Sequence, residues 1–286
     1  MRQIIQDVAL SDTNFPALLR EIPFPPDKLH VWGKIPERGN FLSIVGTRKC
    51  TAYGEEIVRK IIAGLAPHHF VIVSGLAIGI DTVAHKASIE NSVPTVAVLG
   101  SGLSPSVLYP MRNLPLAEEI VRRGGAVVSE YDTDMKATLW SFPQRNRIIS
   151  GMCPATLVVE APEKSGARIT ARFALDQNRD VLAVPGSIFA PNSYSTNRLI
   201  KDGAYLIENA EDILRIYGIE TENAHAAEID LSADEKKIFD ELKEPMYIDS
   251  IIRNSKIPAA TLSATIGLME IRGIIKKIGN EYVRNV

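Results

Sequence analysis

Residues 41–75 read FLSIVGTRKCTAYGEEIVRKIIAGLAPHHFVIVSG, two short apolar runs separated by a stretch of helical periodicity. The runs FLSIVG and FVIVSG carry no charge, as expected of strands buried on both faces. Between them, Ala52–Ala66 sets apolar residues three and four apart, the pattern of an amphipathic helix. Strand, helix and strand of this kind make a right-handed crossover between parallel neighbours, since a right-twisted strand and a right-handed helix pack back onto the sheet only that way.

The unit repeats outward. TVAVLG, AVVSE, TLVVEA and VLAVPG supply further strands, with helices expected at Ile80–Glu90, Leu116–Arg123, Arg145–Gly151, Arg168–Gln177 and Ala210–Tyr217. The fold class is α/β: an extended Rossmann-like, mostly parallel sheet with helices on both faces, over residues 41–217. Residues 1–40 lead into it; their prolines and glycines forbid long helices, and the reading is a short helix at Phe15–Glu21 and an edge strand at HVWG. A polar linker follows at 218–228. Residues 229–286 then carry helices at Leu231–Leu242, Ile248–Asn254 and Pro258–Ile271 and a hairpin about Gly279-Asn280, which together describe a small C-terminal winged-helix domain.

Composition narrows the function. With 32 basic and 34 acidic residues among 286, the chain has no excess of positive charge, so any phosphate binding must come from a local cluster. A 45% hydrophobic and 23% charged composition fits a folded globular protein. No run approaches the roughly 18 apolar residues of a membrane helix. The stretch MRQIIQDVALSDTNF has no secretory pattern, so the expected location is the cytoplasm, away from membranes. Cys50 and Cys153 make neither a disulfide framework nor a metal-ligand spacing, and neither metal nor cofactor is expected.

Sheets of this class bind ligands at the carboxyl ends of their strands. Behind FLSIVG lie Gly46, Thr47 and Arg48, where a close backbone, a hydroxyl and a guanidinium fork suit an anion; the same residues also suit a structural turn with a solvent-exposed arginine. The next loop, SGLAIGID, ends in Asp81, read as a cap on the following helix, because His85 alone supplies no hydrolytic partner. GSGLSPSVLYPMRN sets Gly100, Gly102, Tyr109 and Asn113 near the rim, with Tyr109 packing over the sheet as the alternative. SFPQRNRIISG is more specific. Phe142 offers a flat face to an unpaired base, and Arg145 and Arg147 flank Asn146 at an expected helix start with free backbone N–H groups. The competing reading puts Phe142 in the core and pairs one arginine with an acid. Lys164, Ser165, Gly166 and Arg168 continue as a phosphate track or a solvated helix edge, and Asn197 lies in a polar helix start.

In order along the chain, VGTR, SGLAIGID, GSGLSPSVLYPMRN, FPQRNRIISG, SGARITARFA, AVPG and STNRLIKDGA resemble the bacterial DNA-processing protein A family, also called Smf. The resemblance implies a non-catalytic single-stranded DNA-binding protein that protects incoming strands in natural transformation and promotes loading of a RecA-type recombinase. It also implies a homodimer, for which the region Arg168–Ala204 is the candidate surface. By motif match, Gly46, Thr47 and Arg48 form the phosphate pocket, and Phe142, Arg145, Asn146 and Arg147 form the main strand-binding edge. Lys164, Ser165 and Gly166 form the neighbouring DNA loop, with Arg168 and Asn197 as auxiliaries. The chain departs from the commoner pattern at SGARIT, at STN and in EYDTDMKATLWS, which bears on loop shape.

The C-terminal segment resembles the winged helix attached to many members. Its expected recognition helix, PAATLSATIGLMEI, is nearly uncharged, and residues 228–286 hold 9 Lys/Arg against 10 Asp/Glu. That favours an auxiliary role, with Lys276 and Lys277 on the wing touching a backbone. Two other functions compete. A nucleotide N-glycosidase would need a PGGxGTxxE unit where this chain has PGSIFAPNSYSTN, and a winged-helix transcription factor would bind specific duplexes through residues 228–286 alone.

Overall fold

In the computed structural model, which describes residues 4–220, 231–255, 257–279 and 281–284, alternating side chains on one nine-stranded sheet bury apolar clusters on both of its faces. The first of two units, Met1–Glu220, begins with β1 (Ile5–Ala9), α1 (Ala17–Arg20), β2 (Lys28–Gly33), β3 (Asn40–Val45), α2 (Ala52–Leu65), β4 (Phe70–Ser74), α3 (Ile80–Glu90), β5 (Thr95–Val98) and α4 (Leu114–Arg122). It continues with β6 (Ala126–Ser129), α5 (Ser141–Gly151), β7 (Ala155–Val158), α6 (Gly166–Asp176), β8 (Asp180–Ala183), α7 (Tyr194–Lys201), β9 (Tyr205–Leu206) and α8 (Ala210–Ile216).

Across the sheet the order is β1-β2-β6-β5-β4-β3-β7-β8-β9. The seven strands β3 to β9 are parallel, and β2 and β1 join antiparallel beyond β6. Because successive side chains point to opposite faces, Leu42, Ile44, Ile72, Leu157 and Leu182 pack with α2, α3 and α8, whereas Val45, Val71, Val73, Val96 and Val158 pack with α5 and α6. The uncharged strand runs noted above are therefore covered on both sides. One buried polar pair interrupts them: Ser43 Oγ donates to Thr156 Oγ1 at 2.7 Å across β3 and β7.

The structure corrects two element readings. HVWG does pair with the sheet, but inside it: β2 lies between β6 and β1, and β1 takes the edge. The sequence IQDVA buries only Val8, so its alternation is too weak to announce a strand, and pairing with β2 supplies what the local pattern lacks. Helix α5 starts at Ser141, four residues before the expected Arg145. Pro143 is tolerated there because in a first turn its missing N–H removes only a donor that has no partner within the helix.

The second unit, Thr221–Val286, contains α9 (Ala233–Glu241), β10 (Met246–Tyr247), α10 (Ile248–Ser255), α11 (Ala259–Ile271), β11 (Ile275–Ile278) and β12 (Glu281–Arg284). Its sheet runs β10-β12-β11, all antiparallel, and Ile238, Ile251, Leu262, Ile266, Ile275 and Tyr282 fill its own core. This is the expected winged helix, with β10 as an unforeseen two-residue strand. Ser232 and Glu235 cap α9 reciprocally, and Glu235 also receives Arg272 at 2.6 Å. Most of the expected linker, 221–228, and Asn280 of the hairpin turn lie outside the described residues. Among the described residues no helix is long and apolar enough to cross a membrane.

Leu157 is fully buried on a central strand. Leu157→Ala should therefore cost about 2–5 kcal/mol in urea unfolding of the first unit, through lost burial plus the cavity left behind.

Candidate nucleic-acid interface

The chain winds from β3 outward through β4, β5 and β6, then returns to β7 on the other side of β3. The loops after β3 and β7 consequently leave in opposite directions and open a crevice at their carboxyl ends, the position where such sheets bind ligands. A cavity of about 510 Å³ occupies it. Gly46, Thr47 and Arg48 form one wall, Lys164, Ser165 and Gly166 the other, and Phe142, Arg145 and Asn146 of α5 line the side between them.

Backbone contacts hold the first wall in place. Thr47 N donates to Glu160 O at 2.7 Å, and Ile80 N donates to Thr47 O at 3.2 Å, tying the β3 loop to β7 and α3. Gly79 makes the approach possible: its φ is +85°, and a side chain there would collide with the Thr47 carbonyl. Arg48 projects from this fixed turn, exposed, with its guanidinium 5.4 Å from the Phe142 ring centre. The Phe142 ring is itself half-buried and lies 5.4 Å from that of Tyr109, tilted by 54°. On the far wall Ser165 caps α6 by accepting from Ala167 N at 3.2 Å, while Lys164 is exposed.

The structure revises the roles expected of the two arginines in α5. Arg145 reaches the crevice but is 4% exposed, and its guanidinium turns inward to the carbonyls of Gly75, at 2.6 Å, and Val98. Arg147 does not line the crevice. It makes a two-pronged pair with Glu130 at 2.6 Å and 2.6 Å, and its Nε donates to Phe24 O at 3.0 Å. Residues two apart on a helix point to different faces, so a helix beginning at Ser141 cannot aim both arginines at one strand. In the first turn of that helix Ser141 N donates to Thr138 Oγ1 and Gln144 N to Trp140 O, and Pro143 has no N–H to offer.

Of the auxiliaries, Asn197 is committed to the β8–α7 turn, its amide accepting from Gly186 N at 3.1 Å and donating to Gly186 O at 2.9 Å. Arg168 donates to Glu163 O at 2.9 Å on the outer side of α6. Lys276 and Lys277 belong to the second unit, where Lys277 lies 5.7 Å from the Tyr282 ring.

Two family models match the chain. That of DNA recombination-mediator protein A covers residues 6–218, and that of the DprA winged helix domain covers residues 222–278. The chain belongs to the DNA recombination-mediator protein A family. It is 41% identical over 213 residues to the DNA processing protein DprA of Bacillus subtilis, covering 74% of this chain and 71% of the relative. It is 43% identical over 207 residues to protein Smf of Escherichia coli, covering 71% of this chain but only about half, 54%, of that relative. Among solved structures, DprA from Streptococcus pneumoniae matches with a TM-score of 0.69 and 38% identity, over 74% of each chain. DNA processing protein A from Helicobacter pylori, whose structure is described for its single-stranded DNA binding mode, matches with a TM-score of 0.67 and 26% identity, over 76% of this chain and 96% of that one.

Beneath the crevice of this family member lies a buried polar cluster that the sequence reading misassigned. Asp81 accepts from Gly75 N at 3.1 Å and Ala77 N at 3.3 Å, so it braces the loop before α3 and does not cap the helix. Burial raises its pKa, and the Arg145 charge opposes that rise. Burial likewise pulls the Arg145 guanidinium down to about 10, with Asp81 acting against it. His85 Nδ1 lies 2.8 Å from Thr95 Oγ1, whose own proton goes to Ile72 O, so the ring donates through Nδ1. Asp81 and His85 lie four residues apart on α3, and only the packing of α5 over β4 and β5 brings the Arg145 charge to them.

His85 provides a direct check. Burial, with the Arg145 charge adding to it, lowers its pKa from the ordinary 6.5 to about 3. Between those values the unfolded chain binds a proton that the folded chain refuses, so stability falls as pH drops through this window. Relative to pH 7, the native protein should lose about 2 kcal/mol more than a His85→Asn variant by pH 5, measured by urea unfolding.

Proposed function

We propose that the crevice captures single-stranded DNA without chemical conversion. The observation that carries this reading is the placement of two exposed cations, Arg48 and Lys164, on opposite walls of a cavity floored by the Phe142 and Tyr109 rings. Neither cation forms an ion pair with an acid among the described residues. Phosphates bind at the cations, at the Thr47 hydroxyl and at the backbone of Gly46, Ser165 and Gly166, while a base packs on Phe142. An unpaired strand is favoured because a duplex keeps its base faces inside the stack. Arg145 holds the floor in shape, Asn146 faces the strand, and Arg147 anchors the lead-in to α5.

Membership of the family and the single-stranded DNA binding of the Helicobacter pylori relative support the same assignment. In this role the protein acts in the cytoplasm, protects strands entering by transformation and presents them to a RecA-type recombinase. A homodimer aligns two crevices through the Arg168–Ala204 side, where β9 ends the sheet with an open edge. The winged helix, 229–286, serves as an auxiliary contact. A non-catalytic role is supported by His85, which is fully buried, and by Asp81, whose carboxylate is taken up by the Gly75 and Ala77 N–H groups.

Oligo(dT) titrations at several salt concentrations test the assignment. Loss of Arg48 and Lys164 together should flatten the salt dependence by about 0.7 in slope for each phosphate contact removed. Phe142→Ala should cost about 1–3 kcal/mol. Undiminished binding by the Arg48→Ala/Lys164→Ala protein would discard the crevice, and release of free base from nucleoside monophosphates would reveal an enzyme instead.

A further inference from the structure

The chain has two tryptophans. Trp32, on β2, is 7% exposed and packs in a cluster with Leu99, Ile120 and Val127, whereas Trp140 is 58% exposed, next to Leu139 at 93%. Leu139 and Trp140 together make an exposed apolar pair, which says more than a single exposed side chain would. Trp140 is not on a loose loop. Ser141 Oγ donates to Gly100 O at 2.5 Å, Thr138 N donates to Ser141 Oγ at 3.0 Å, and Ser141 N donates to Thr138 Oγ1 at 3.2 Å. The Tyr131 ring meets the indole edge-on, 5.7 Å away at 84°, and Tyr131 OH donates to Ser141 O at 3.3 Å. These bonds hold the backbone on both sides of Trp140 and the Tyr131 contact favours one ring orientation, which lowers the entropy cost of using it as an anchor.

Its position continues the crevice. Leu139 and Phe142, on either side of Trp140 and Ser141 in the chain, both line the cavity. Lys164 follows β7, Arg48 follows β3, Tyr109 follows β5, and Trp140 follows β6. These strands, with β4 between β3 and β5, are consecutive in the sheet. Four steps of about 4.8 Å set the ends of β7 and β6 about 19 Å apart, and the four loops emerge along that edge. Charge changes along it. Around Trp140 the exposed residues Asp132 and Asp134 outnumber Lys136, so this end does not suit a phosphate.

We propose that Trp140 is a second base-stacking platform, taking an unpaired nucleobase of the strand whose phosphates are held at Arg48 and Lys164. The proposal rests on the single-stranded DNA reading of the crevice. Stacking on an indole is tolerant of base identity and independent of salt, unlike the contacts at the other end of that edge.

The test uses the full chain and an oligo(dT) of about 12 nucleotides, within the site sizes common for such grooves. Tryptophan emission should be quenched on binding, because the buried Trp32 contributes a constant background. Trp140→Ala should weaken binding about tenfold with an unchanged salt slope. Trp140→Phe should abolish the quench while keeping affinity within about threefold, since a phenyl ring still stacks. An abasic oligomer should bind native and Trp140→Ala proteins alike. Native affinity in Trp140→Ala, an unquenched saturated complex, or an equal loss on the abasic oligomer each overturns the proposal. If Trp140→Ala binds normally while Arg48→Ala/Lys164→Ala does not, the stacking platform alone is wrong. If the double variant also binds normally, the crevice assignment falls with it.

Discussion

A parallel sheet that grows in both directions from one strand must open a crevice where its crossovers part, and the placement of every candidate contact follows from that reversal between β3 and β7. The Ser43–Thr156 hydroxyl pair and the flanking Leu42, Ile44 and Leu157 side chains hold these two strands together through the middle of the sheet. Above them the loops diverge, and Gly79 lets α3 press against the Thr47–Arg48 turn. The walls of the crevice are thus consequences of strand order, and the exposed cations are what the loops place on them.

The floor of the crevice depends on a buried charge. Arg145 bridges the ends of β4 and β5 through the Gly75 and Val98 carbonyls, with Asp81 as its counter-charge. Loss of either charge leaves the other uncompensated in the interior. The two carbonyl bonds supply position: they keep α5, and with it Phe142, over the ends of the strands. Arg147 performs a related task on the opposite side of the helix, where Glu130 and the Phe24 carbonyl fasten the lead-in segment to the sheet. Two neighbouring arginines therefore support the site from within and behind, and the charge that faces solvent at the crevice comes from other loops.

The second unit follows a different logic. Its helix α11 carries a single charge, Glu270, and buries Leu262, Ile266 and Met269 in a core of its own. Direct readout in a major groove relies on polar and charged side chains at base edges, and the outer face of this helix is mostly small and apolar. That chemistry agrees with an auxiliary role better than with a sequence-reading repressor.

The strands from β3 to β8, the helices between them and the winged helix were legible in the sequence, because uncharged runs and helical spacing report burial directly. The loops expected at the crevice were legible too, since strand ends in an α/β sheet are where ligands bind, and Gly46–Arg48, Phe142 and Lys164–Gly166 do meet there. Strand β1 was not, because its partners are far along the chain and its own pattern is weak. Nor were the contacts that Arg145 and Arg147 make within the fold. A guanidinium that faces a phosphate and one that braces a loop carbonyl have the same local sequence, and the difference depends on helix phase and on Gly75, Val98 and Glu130, which lie 70, 47 and 17 residues away. Local pattern determines which segments are strands and helices; only the packing of α5 across the sheet decides which charges remain available to a ligand.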